Sequence, residues 1–127
     1  MMHRRGFLNT LLSTAAAAAK ARPLAIATFQ EDVTPPIGAV LCHGLVEPAK
    51  VIVDRLTARG IILFSDEAPI VLCAVDWVGI ANDGYDAWRA RMSEAAGTTP
   101  ARVAVHTLHQ HDAPAYDPLA AGILRKH

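Results

Sequence analysis

Two cysteines are all that this chain of 127 residues contains, too few for a disulfide-stapled scaffold. Cys73 lies in the apolar run Val71-Leu72-Cys73-Ala74-Val75 and Cys42 sits beside His43 in a loop. One pair without a spacing signature favours buried or free thiols over a disulfide, and a Cys42/His43 metal site would need partners to which the sequence does not point. Internal repeats, low-complexity tracts and linkers are missing beyond the first residues. So is any apolar run of the about 20 residues that a membrane-spanning helix needs. Net charge is also missing, with 12 basic against 12 acidic residues.

What is there begins with Met1-Met2-His3-Arg4-Arg5-Gly6-Phe7-Leu8, a basic start followed by a short apolar run through Leu11, Leu12 and Ala15 to Ala19. With small-residue sites at Ala19-Lys20-Ala21 and Ala25-Ile26-Ala27 this is the pattern of an export signal. The Arg4-Arg5 pair followed by Phe7-Leu8 is of twin-arginine type. We expect residues 1–27 to be a leader, the mature chain to start near residue 22 or 28, and the protein to be periplasmic or extracellular. The alternative is an ordinary amphipathic N-terminal helix.

Four of the 12 basic residues (Arg4, Arg5, Lys20 and Arg22) lie in that leader, whereas every acidic residue follows Gln30. The mature part therefore carries a net charge of about −4, which argues against a phosphate-backbone partner. About 100 residues after the leader suffice for one small domain and not for two.

Local patterns alternate between strand and helix. Leu24 to Phe29 reads as a strand, and Asp32 to Gly38, with Pro35 and Pro36, as a rigid turn. Leu56 to Phe64 and Pro69 to Val75 read as strands joined in a hairpin at Ser65-Asp66-Glu67-Ala68. Asn82 to Ala96 predicts a helix capped by Asn82 or Asp83 and ended by Gly97, with Tyr85, Trp88, Met92 and Ala95 as its apolar stripe and Asp86 next to Arg89 on one face. Arg102 to Thr107 is the last strand. The fold class expected is α/β, a mixed sheet with helices packed on it and covered on both faces.

The last strand runs without a polar transition into a histidine cluster, His106, His109 and His111, half of the chain's six histidines. If the backbone stayed extended, His109 and His111 would share a side with Val103, Val105 and Thr107, and His106 would face away with Ala104 and Leu108 as a core residue. Neutral imidazole is the commonest zinc ligand, and an H-x-H at a strand end can aim two ring nitrogens at one point. The plainer reading is a solvated histidine-rich loop. Asp76 ends a buried strand, where a carboxylate either orients a ligand histidine or, more commonly, bonds local amides. Trp77 and Trp88 read as core, and His43 as a loop histidine.

Four segments in order resemble the N-terminal catalytic portion of the neutral, non-lysosomal ceramidase family. Asp32-Val33-Thr34-Pro35-Pro36-Ile37-Gly38 is similar to that family's D-[IV]-T-P-P-x-G opening, and Asp54-Arg55-Leu56-Thr57-Ala58-Arg59 to its D-P-L-x-A-R segment. Ile70 to Ile80 resembles its strand ending in an aspartate, and His109-Gln110-His111-Asp112-Ala113-Pro114 its H-T-H-S-[GA]-P. Gln110 and Asp112 stand where the family carries Thr and Ser, and Ala115-Tyr116 where it carries glycines.

The resemblance implies a zinc-dependent hydrolase that cleaves the amide of an N-acyl lipid, ceramide being the family's substrate, with possible peripheral membrane contact. The family's zinc is held by two histidines, a glutamate and a tyrosine. Carried over, His109 is implied as a zinc ligand and His111 as the catalytic residue that moves a proton or binds the reacting carbonyl. The other ligands lie far downstream in the family, so the chain reads as an incomplete part of a larger catalytic domain. Two alternatives remain open. One is a small exported metal-binding protein using His106, His109 and His111, and the other is a non-functional remnant.

Overall fold

A computed structural model describes residues 23–126. The proposed leader falls almost wholly outside the described residues. Four strands form one sheet: β1 (Ala25–Asp32), β2 (Thr57–Phe64), β3 (Ile70–Val75) and β5 (Val103–Thr107), adjacent in that order. β1–β2 and β2–β3 are antiparallel and β3–β5 is parallel, so the sheet is mixed and the fold is α/β. Helix α1 (Asn82–Ala96) makes the crossover between the two parallel strands, as a parallel pair requires. A second parallel pair, β4 (Gly79–Ile80) with β6 (Ala115–Tyr116), and a short helix, α2 (Pro118–Leu124), complete the chain.

The alternation of β3 and β5 sets the core. Val71, Cys73 and Val75 register with Val103, Val105 and Thr107, and all of these but the half-buried Thr107 are buried beneath α1. Phe29, Ile62, Tyr85, Trp88, Met92 and Ala96 pack against this cluster. Ala96, not the expected Ala95, takes the fourth place of the stripe, because Ala95 is exposed. Trp77 and Trp88 meet edge to face at 5.6 Å, and the Trp77 indole donates to the Val33 carbonyl at 3.0 Å, which puts both rings in the core as expected.

Gly97 ends α1 in the left-handed conformation, φ 65°, as anticipated. The start differs from the expectation. The capping position is Ala81, and no side chain caps the helix. Asn82 instead adopts φ 50° and donates its side-chain amide to Asp117 at 2.8 Å, tying α1 to α2, while Asp83 remains in the first turn. Asp86 and Arg89 do face each other, at 3.8 Å, and Arg89 also donates to the Pro100 carbonyl, so α1 is clamped to the turn that launches β5.

Two further expectations fail. The described helices cover one face of the sheet, not both: α1 packs on β3 and β5, and α2 packs on α1. His106, Ala104 and Leu108 lie on or beside the other face and are exposed, so His106 is not a core residue. Cys42 and Cys73 are both free and both buried, and burial pushes the Cys73 thiol up to about 11. β1 is paired from Ala25 onward, so cleavage after Ala27 would remove three paired residues, whereas cleavage after Ala21 leaves the strand whole.

Candidate functional site

The carboxyl ends of the parallel strands β3 and β5 are where a switch between strand and loop opens a crevice in α/β proteins. Here three loops meet at that end. After β5, the Leu108 amide donates to the Val75 carbonyl and the His109 amide to the Trp77 carbonyl, both at 3.0 Å. The Val78 amide donates to Pro114 and the Cys42 amide to Ala113, which brings the Cys42–Gly44 turn to the same place. Three of the four non-glycine residues with positive φ among those described lie here: Cys42, His43 and His109. Such conformations cost of order 1–3 kcal/mol each and persist where surrounding bonds enforce them, commonly at functional sites.

His109 and His111 come together, but not by strand alternation. β5 stops at Thr107, and His109 turns into the left-handed region with φ 60°. Their rings meet edge to face with centroids 5.0 Å apart. Nδ1 of His109 lies 2.9 Å from the Val78 carbonyl. A carbonyl only accepts, so Nδ1 carries a proton, and in the neutral ring Nε2 is the atom available to a ligand. Ligating histidines are normally held in this way through the nitrogen that does not bind the metal.

That anchoring role was assigned at best to Asp76 from the sequence, and Asp76 does something else. It is 4 % exposed, and its Oδ2 accepts from both the amide and the hydroxyl of Thr57 at 2.8 Å, while Oδ1 accepts from Arg59 at 2.7 Å. Burial alone would raise its pKa. The Thr57 amide, the Arg59 guanidinium and the Thr57 hydroxyl outweigh burial and hold it below the usual carboxylate value. The plainer reading of Asp76 as a carboxylate bonding local amides is therefore the correct one. The Val78 carbonyl that replaces it is a backbone atom, for which a sequence offers no signal.

The two leading segments of the resemblance also meet. The Thr34 amide donates to Asp32 at 2.9 Å, Arg55 pairs with Asp32 at 2.5 Å, and the Leu56 amide donates to the Thr34 hydroxyl at 2.9 Å. Thr34, through its side chain and its amide, and then Arg55 draw the Asp32 carboxyl down to about 2. This clamp holds the ends of the 24-residue loop between β1 and β2, which bounds an open cleft of about 690 Å³. Asp76, Gln110 and Asp112 line that cleft from the sheet side. His109 and His111 do not line it but sit beside it, on residues that alternate with the lining ones.

His43 is exposed, its Nε2 lying 4.0 Å from where a Cβ on Gly79 would be. It does not complete a donor set. Among the described residues, no three His, Cys, Asp or Glu side chains gather into a group able to hold a metal. His106, on the open sheet face, does not join His109 and His111. His109, oriented by the Val78 carbonyl, is one imidazole that a metal could take, where a catalytic zinc needs three protein ligands. Comparison with known protein families, with characterised proteins and with solved structures finds no match to this chain.

Proposed function

We propose that this chain is the N-terminal segment of an exported zinc-dependent amidohydrolase that cleaves an N-acyl lipid, with His109 a zinc ligand and His111 the neighbouring catalytic residue. The observation that carries this reading is the His109 ring, fixed by the Val78 carbonyl with Nε2 free and His111 at 5.0 Å. A solvated histidine loop has no need of a left-handed backbone and an anchored tautomer.

Bound zinc would supply a Lewis acid for the scissile carbonyl and a water ionised near neutral pH. The chain's own part is to present Nε2 of His109 in a set direction and to place the His111 imidazole beside it, with ring centroids 5.0 Å apart. The cleft beside the pair, with Leu41, Ile52 and Val53 among its walls, offers apolar surface to an acyl chain and Gln110 and Asp112 to a polar head. Catalytic zinc takes three protein ligands plus water, so the remaining ligands are assigned to another part of a longer polypeptide.

The test is a zinc titration of the 15N-labelled chain, read at the histidine ring nitrogens. The expected result is a Nδ1-protonated His109 before zinc, a shift at its Nε2 on zinc addition, a smaller response at His111 and none at His106. Equal responses at His106 and His109, or a His109 protonated at Nε2, would overturn the assignment.

A further inference from the structure

The strand register shows what the uncovered face of the sheet is made of. Ile26, Leu63 and Ile70 stand side by side on one rung, and Ile61, Leu72 and Ala104 on the next. Ile26 is 60 % exposed, Ile70 37 % and Leu72 40 %, although Leu72 stands between the buried Val71 and Cys73. A shallow groove of about 260 Å³ runs along Ile70, Leu72 and Ala104. Scattered exposed aliphatic side chains need no explanation, but a contiguous patch across four strands marks an interface.

From this face we infer that the chain forms a symmetric dimer, the open sheet face of one copy packing on the same face of a second. Size supports this occupant. Four strands about 4.8 Å apart, of 8, 8, 6 and 5 residues, make a face of roughly 15 by 20 Å before side-chain width is added. Covering it removes several hundred Å² per copy, on the order of the about 800 Å² that each partner contributes to a standard interface. Charge supports it too. Toward the other end of the face, Arg59 pairs with Asp76 and Asp32 with Arg55 inside the same chain, so a second copy buries no unpaired carboxylate or guanidinium there. Two such faces pack in the aligned sandwich geometry, about 10 Å apart, with a two-fold axis near the Ile61–Leu72 rung bringing aliphatic rungs together.

The dimer does not depend on zinc or on hydrolysis, so it stands or falls separately from the function proposed above. The test is sedimentation equilibrium of the 127-residue chain from about 1 to about 100 µM, compared with Leu72→Arg, Ile70→Lys and, as a control on the far loop, Leu45→Arg. Circular dichroism and a cooperative melt verify that each variant is folded. The expected result is a reversible dimer in the parent and in Leu45→Arg, with dissociation constants raised about tenfold or more in whichever of the two face variants folds. A monomer throughout the range, as expected if another protein or another part of a longer polypeptide covers the face, overturns the inference. So does a dimer that Leu72→Arg and Ile70→Lys leave intact, which would place the contact on the exposed edge of β1.

Discussion

At the scale of single residues, Asp76 shows how a buried carboxylate can be structural while standing at a site. It joins the end of β3 to the start of β2 through Thr57, and Arg59, about half exposed, adds less because solvent screens it. Asp76→Asn puts an amide N–H where one of those donors points and should cost about 2 kcal/mol at neutral pH, measured by denaturant unfolding. The folded-state pKa lies below the unfolded value of 3.8, so the carboxylate's contribution is fully present above pH 3.8 and is lost as the pH falls through the folded value. The gap between parent and Asp76→Asn should therefore narrow below about pH 4, and a gap that widened there would refute this account. His109 makes the complementary case. Its residue type was legible as a ligand, but its geometry was not, because the bond that fixes it comes from a backbone carbonyl 31 residues away.

At the scale of elements, the long strands and α1 were legible because each carries its own signal. β2 and β3 have apolar runs bounded by Ser65–Pro69, and α1 has a helical stripe and a terminal glycine. β4 and β6, two residues each, exist only because their loops are pinned together, and no local periodicity announces them. The start of α1 was misread because Asn82, a good capping residue, finds a better partner in Asp117. α2, seven residues capped by that same Asp117, was not anticipated. Gly60 tests the pairing of β2 with its neighbours. A Cβ there would run into the Leu72 carbonyl oxygen and lie 2.7 Å from the Phe29 ring. Gly60→Ala should lower stability by about 3 kcal/mol, seen as a depressed melting temperature, whereas a change within about 0.5 kcal/mol would mean that β2 sits less closely on β3 than described.

At the scale of the whole molecule, the mixed α/β architecture followed from the order of strands and helix, but the layer count did not. Near-continuous apolar strands predicted cover on both faces, whereas the described residues supply one helix layer, on the face of Val71, Cys73 and Val75. At the site, His109 is the one proposed ligand, and no group of three ligating side chains gathers among the described residues. A chain with one proposed zinc ligand should not hydrolyse amides by itself, and a longer polypeptide carrying this segment should. The most direct measurement is fatty-acid release from N-acylsphingosine by that longer polypeptide, by the 127-residue chain and by His109→Ala and His111→Ala variants, each with and without chelator and with bound zinc determined. The account predicts chelator-sensitive release by the longer polypeptide alone, loss of both zinc and turnover in His109→Ala, and retained zinc with turnover reduced about 10² to 10⁴-fold in His111→Ala. Release that survives chelator and His109→Ala, or full turnover by the 127-residue chain, would contradict it.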